Sequence, residues 1–307
     1  MSPVDARQPV DAPRSCPALR QPNPQNQKQQ HPFLRAFLNP HTYVRYLRAR
    51  QWDLAKARLM LRATLAWRAS YRPDLVSWAD VCGEAETGKL FVSPHRDLEG
   101  RPVIVMRPRH ENSRDRDAQL KLLVYVLEVA SRRADERLLG GGGVSGNGGN
   151  SNSSIVDAGE AKATILVDFE GYSLSNAPPI RTALATMDIL QNHYPERLGR
   201  AVCWRAPALF SVTWRAVAPL VDPVTKAKIA FVEDAQAITA HFDQEHVEVC
   251  CGGKAAPLFE KGAYGEAMAR EDAQRAADVA AAVEAPGCQL SGSDASAASL
   301  VTLAASG

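Results

Sequence analysis

What the chain lacks narrows its function first. No apolar run in its 307 residues approaches the ~20 needed to span a bilayer, so any membrane contact is expected to be peripheral. The first thirty residues hold Asp5, Asp11 and several prolines but no apolar stretch of the secretory kind, and no signal peptide is expected. Neither sign of charge dominates: 36 Lys and Arg against 34 Asp and Glu leave +2, too mild a balance to call for nucleic acid. The six cysteines, Cys16, Cys82, Cys203, Cys250, Cys251 and Cys288, lack the paired CxxC spacing of zinc sites. The chain is also too long for a small disulfide scaffold. Free thiols in a reducing cytoplasm are the expectation.

Enzyme signatures are missing too. The run Gly140–Gly143 has no following Lys-Ser/Thr and does not join a strand to a helix, so it is no P-loop. There is no GxSxG nucleophile elbow. His241 and His246 flank Glu245 in neither zinc-protease order, with Cys250 and Cys251 close behind. A metal site there competes with surface histidines and a buried cysteine pair, and no metal is expected. Asp168 ends a strand, where α/β sites gather, but a turn-capping carboxylate accounts for it equally well.

What is present suggests an α/β protein. Residues 1–32 form a Pro/Gln-rich arm that cannot build a core. Residues 33–80 read as a helical unit: apolar spacing from Tyr43 to Arg72 is helical, breaks at Arg50-Gln51-Trp52, restarts at an Asp53 N-cap and ends at Pro73. Residues 81–254 alternate strands (near 103–106, 164–167, 201–204 and 229–232) with helices (119–137, 179–192 and 209–221), which implies a mostly parallel sheet. A Gly/Ser/Asn tract at 140–154 reads as a flexible insertion. Residues 255–307 are Ala-rich, with one helix near 266–284 and a low-complexity end.

Several segments are unusual together: Tyr46 to Asp53 (YLRARQWD), Asp97 to Pro102 (DLEGRP), Asp168 to Ala177 (DFEGYSLSNA), Gln191 to Gly199 (QNHYPERLG), Arg205 to Phe210 (RAPALF) and Leu220 to Ile229 (LVDPVTKAKI). In this order, from about Val44 to Gly253, the chain resembles the CRAL-TRIO family, most closely its phosphatidylinositol/phosphatidylcholine transfer proteins. The resemblance implies a small N-terminal helical unit followed by an α/β domain enclosing a hydrophobic pocket. A mobile helix, here Leu209 to Val221 with Phe210, Trp214 and Val217, would gate the entrance. A plain core helix is the alternative for that segment.

The resemblance places inositol-phospholipid binding at Arg50, Glu196, Thr225 and Lys228, with Arg50, Thr225 and Lys228 on phosphate and Glu196 on ring hydroxyls. A structural ion pair between Arg50 and Glu196 competes with that role. Ser173 and Ser175 match a hydroxyl pair for a second lipid. Two tyrosines expected near the hairpin are replaced by Ser93 and Ile104, which disfavours choline lipid because trimethylammonium groups are held by aromatic faces. Arg45, Arg48 and Arg50 could form a basic membrane-facing patch, with a solvated helix face as the plainer account of Arg45. The implied protein is not an enzyme and has no cofactor beyond a bound phospholipid. It would be a cytoplasmic, transiently membrane-associated monomer whose partners are phosphatidylinositol, membrane surfaces and a lipid kinase, with no nucleic acid. Carriage of a tocopherol- or retinoid-like isoprenoid, or an adaptor role in small-GTPase or trafficking regulation, are the alternatives.

Overall fold

A computed structural model describes Leu34 and residues 37–139, 161–173, 175–208, 210, 214–215 and 218–284. The expected arm, the Gly-rich insertion and the end of the chain lie outside the described residues.

The N-terminal helices follow their capping residues. Asn39 Oδ1 accepts from Thr42 N at 3.0 Å and Pro40 opens α1, Pro40–Ala49. Asp53 Oδ1 accepts from Lys56 N at 3.0 Å and opens α2, Leu54–Tyr71. Arg72 in the left-handed region and Pro73 close it. A third helix, α3, Trp78–Ala85, starts where the Asp80 carboxylate accepts both the amide (2.9 Å) and the hydroxyl (2.7 Å) of Ser77. It runs straight through position 80, where the sequence suggested a boundary.

The hairpin strands are β1, Leu90–Arg96, and β2, Pro102–Met106. They pair antiparallel, with an irregularity between Val92 and Arg96, where Pro94 can give no ladder bond. Helix α4, Arg116–Leu139, strand β3, Ala163–Asp168, helix α5, Ile180–His193, and strand β4, Leu198–Trp204, follow. Then come the short helix α6, Pro223–Ala227, strand β5, Ile229–Val232, the short helix α7, Ala235–Ile238, and the long helix α8, Lys261–Glu284. The sheet order is β1-β2-β3-β4-β5, parallel from β2 onward.

Helix α8 belongs to the core. Its Tyr264 and Met268 are buried, and Asp272 Oδ2 accepts from Trp78 N at 2.6 Å and from the Tyr125 hydroxyl at 3.2 Å. The Ala-rich composition concealed these few anchoring side chains.

The two faces of the sheet differ. Register places Val103, Val105, Thr164, Leu166, Asp168, Val202 and Trp204 on one face, and all are buried. Residues 235–258 seal that face, with Phe242, Val247 and Leu258 around a cavity of about 20 Å³ that Val103, Val105 and Leu166 also line. The other face carries Ile104, Met106, Ile165, Val167, Ala201, Cys203, Ile229 and Phe231. It is wholly apolar, yet Met106, Ile165, Val167 and Ile229 are only half-buried and Phe231 is 52% exposed.

Candidate functional site

Adjacency of β4 and β5 brings together the turns that lead into them. The Tyr194-Pro195-Glu196 turn precedes β4, and Lys228, which ends α6, precedes β5. Ala201 N donates to Lys228 O at 2.9 Å and holds these turns side by side. Lys228 Nζ lies 3.7 Å from Glu196 Oε2, both side chains partly shielded from solvent. Glu196 has φ 56, a left-handed backbone that costs a non-glycine residue about 1–2 kcal/mol. Such cost is met at positions that the surroundings over-determine.

The surroundings here are the N-terminal helices. Thr64 Oγ1 donates to Asn192 O at 2.9 Å and the Tyr46 hydroxyl to His193 O at 3.4 Å. Trp67 stacks on the His193 ring at 4.2 Å between centroids. The Tyr194 hydroxyl donates to Glu128 Oε1 at 2.7 Å, and Arg68 holds the same carboxylate bidentately at 2.9 and 2.8 Å. Burial is the largest influence on Glu128 and opposes its ionisation, but the Arg68 charge, the hydrogen bonds from Arg68 and Tyr194 and the Arg197 charge together outweigh it and keep the carboxyl below its ordinary range. Burial also lowers the His193 pKa and pushes the Tyr194 hydroxyl well up. Arg68 and Glu128 were not singled out in the sequence; His193 and Tyr194 stood in the Gln191–Gly199 segment without a role of their own.

Thr225 sits one turn before Lys228. Its amide donates to Asp222 Oδ1 at 2.9 Å and its hydroxyl to Asp222 Oδ2. Burial works against the Asp222 charge, but these bonds prevail and lower its pKa. The Thr225 hydroxyl must turn away from Asp222 to donate elsewhere. Arg50 ends α1 and its Nη1 donates to Ala49 O at 3.0 Å. Among the described residues the ion pair of Glu196 is with Lys228, not with Arg50 as the competing structural account had it.

Two further expectations are corrected. Arg45 is 2% exposed, not on a solvated or membrane-facing surface. It donates to Thr42 Oγ1 at 2.9 Å and lies 3.8 Å from Asp135, while burial and then Arg197 pull its pKa down to about 9. Ser93 and Ile104 do not share a site. Ser93 lines the small cavity on the sealed face, whereas Ile104 stands on the apolar face.

Ser173 and Ser175 are hydrogen-bonded to each other at 2.7 Å between hydroxyls. Of the expected gate, Leu209, residues 211–213, Ala216 and Val217 lie outside the described residues. Its described aromatics touch the sheet. Phe210 lies 4.4 Å from Phe169 between ring centroids, and Trp214 lies 6.3 Å from Phe231 on the apolar face. The histidines weighed with the cysteine pair are engaged elsewhere: His241 with Arg200 at 2.8 Å, and His246 stacked on His95 at 4.2 Å. Among the described residues no helix is long and apolar enough to cross a membrane.

Comparison with known proteins agrees with this architecture. Residues 86–253 match the CRAL/TRIO domain and residues 25–63 the CRAL/TRIO N-terminal domain. The chain is 30% identical over 64% of its length to phosphatidylinositol transfer protein PDR17 of Saccharomyces cerevisiae, covering 53% of that protein. It is 28% identical over 72% of its length to phosphatidylinositol transfer protein CSR1 of Eremothecium gossypii, covering 49% of it. The match thus spans about half the length of each of these relatives. The crystal structure of Sfh5 superposes with a TM-score of 0.52 at 14% identity, over 82% of this chain and 86% of that one, a likeness of fold. With the family model spanning more than half the chain, this protein belongs to the CRAL/TRIO domain family.

Proposed function

We propose that the protein binds phosphatidylinositol against the apolar face of its sheet and transfers it between membranes or presents it to a lipid kinase. The asymmetry of the sheet carries this reading. Central strands of a parallel sheet are normally buried on both faces, and here one face is sealed while the other, entirely apolar, is half-covered. A lipid leaving a bilayer loses about 0.8 kcal/mol for each methylene exposed to water, and such a face replaces that burial. Phe210 and Trp214 stand at its edge as parts of a gate. At the turns leading into β4 and β5, Lys228 would meet the phosphate and Glu196 the inositol hydroxyls. Thr225 and Arg50 would join the phosphate after leaving Asp222 and Ala49. The names of the relatives from Saccharomyces and Eremothecium favour the inositol lipid.

The test is incubation with liposomes of mixed phospholipids, re-isolation of the protein and analysis of the lipid it carries. Inositol lipid enriched above its bulk share is expected. Bound lipid mirroring the bulk mixture, or an isoprenoid in its place, would overturn the assignment.

A further inference from the structure

Beyond the lipid reading, a second group of residues lies on the sealed side of the sheet. Val249–Cys251 forms a 3-10 turn held to the sheet by Trp204 Nε1, which donates to Cys250 O at 2.9 Å. Both thiols of this turn face the end of β3. Cys250 Sγ lies 3.8 Å from Cys251 Sγ, 3.7 Å from Asp168 Oδ2 and 3.4 Å from Glu248 Oε2. The ligand atoms of Asp168, Cys250 and Cys251 all lie within 4.8 Å of one another. We propose that these three residues form a binding site for one divalent ion of the zinc class, which clips the Val249–Cys251 turn to the end of β3.

Two of the separations match edges of a coordination polyhedron. Zinc bonds of about 2.3 Å to sulfur and 2.0–2.2 Å to oxygen, at tetrahedral angles, give edges of about 3.8 Å between sulfurs and 3.6 Å between sulfur and oxygen. The thiols already stand one such edge apart, and Cys250 stands about one such edge from each carboxylate. A disulfide fits less well. Adjacent residues have Cα atoms about 3.8 Å apart, below the roughly 4.4–6.8 Å that disulfides span.

Charge is also partly offset. Arg109 Nη1 lies 2.7 Å and Arg107 Nε 3.8 Å from Asp168 Oδ2, and Arg107 also pairs with Glu248. Arg109 also lies 3.7 Å from Glu170 Oε2, so two guanidiniums face three carboxylates. When a divalent ion binds, both thiol protons leave to solvent, two S–H bonds are exchanged for two metal–sulfur bonds, and the net charge of the cluster is unchanged. Oxidation states do not change. The cavity of about 20 Å³ that borders Cys251, Glu248 and His246 has room for one water beside the cluster. No CxxC spacing announced the site, because Asp168 and Cys250 are separated by 82 positions.

The experiment uses the full-length reduced protein, stripped with a chelator, given a zinc salt alone and passed through buffer exchange. Elemental analysis and thiol titration should find about one zinc retained per chain and slower reaction of the Cys250 thiol than in the stripped protein. Cys250→Ser, at the half-exposed position and so tolerated by the fold, should lose the zinc and this protection, whereas Cys203→Ser should keep both. Zinc that washes out of the wild type, or is retained equally by Cys250→Ser, overturns the proposal. So does a pair that loses its thiols only by peroxide oxidation, with no zinc taken up.

Discussion

Replacing Lys228 with alanine separates a lipid site from a structural ion pair, because the two predict different measurements to move. The Lys228 ammonium lies 3.7 Å from the Glu196 carboxylate, with side-chain exposures of 18% and 25%. A long, partly solvated contact of that kind is worth at most about 1 kcal/mol. Its loss shifts the melting temperature of a fold this size by about 2–4 °C. A charge-assisted contact from Lys228 to a lipid phosphate is worth about 1.5–3 kcal/mol, which corresponds to roughly ten- to a hundred-fold in inositol-lipid affinity. Thermal unfolding of delipidated protein and inositol-lipid loading, each for wild type and Lys228→Ala, measure the two terms. Loading should fall by one to two orders of magnitude while the melt barely moves. A melt lowered by much more than 4 °C with loading intact would refute the reasoning and weaken the roles given to Arg50 and Glu196.

Other expectations follow from the same geometry. Arg68→Met strands the Glu128 carboxylate in the core and should cost about 3–5 kcal/mol in urea unfolding; a loss under 1 kcal/mol would show that water reaches Glu128. Acid should act in two stages. Burial, ahead of neighbouring charges, holds His95, His193 and His241 below their ordinary value, so their contribution is present above about pH 6.5 and is lost as pH falls through the lower folded values. Glu128 and Glu248 are depressed by their arginines against burial, so their contribution is present above about pH 4.3 and is lost as pH falls further. A melting temperature flat from pH 7 to pH 5 would contradict the histidine part. Transfer of phosphatidylcholine should be slower than that of phosphatidylinositol, now on the strength of Ile104 alone, and equal liposome transfer rates would contradict it. Val167→Asp, at a half-buried position, should abolish lipid loading and lower the delipidated melt; normal loading would place the lipid elsewhere.

Much of the frame was legible because it rests on local chemistry. Asp53 and Pro73 bound α2 as their types require, and the runs around Val105, Leu166, Val202 and Ala230 became the parallel strands. The Glu196–Lys228 approach follows once β4 and β5 are neighbours, since each residue sits just before its strand. Illegible features depend on distant partners or on register. Arg45 looked like a surface cation because Asp135, which receives it, is on another helix. Ser93 and Ile104 were equated by counting from the hairpin, but the irregularity between Val92 and Arg96 and the alternation of the pleat put them on opposite faces. Tyr264, Met268 and Asp272 were lost in an alanine-rich stretch whose composition says little about which side chains anchor it.

The deepest regularity of the sheet is an inverted pleat, and it is why Val167 is an informative position. On β3 the polar residues, Thr164 and Asp168, point to the sealed face, and the apolar ones, Ile165 and Val167, to the half-covered face. A strand with one face in water shows the reverse, polar out and apolar in. The buried polar groups are satisfied: Thr164 Oγ1 donates to Asp97 Oδ2 at 2.6 Å, and Asp168 accepts from Glu170 N at 3.1 Å and pairs with Arg109, so their burial carries little penalty. The apolar residues opposite have no such account if water is their partner, for each buried aliphatic side chain is worth about 1.5–3 kcal/mol. Met106, Ile165, Val167, Ile229 and Phe231 together form a surface that stability alone would not leave half-open. On the proposed reading an apolar ligand would supply the missing cover, and a carboxylate at position 167 would repel it.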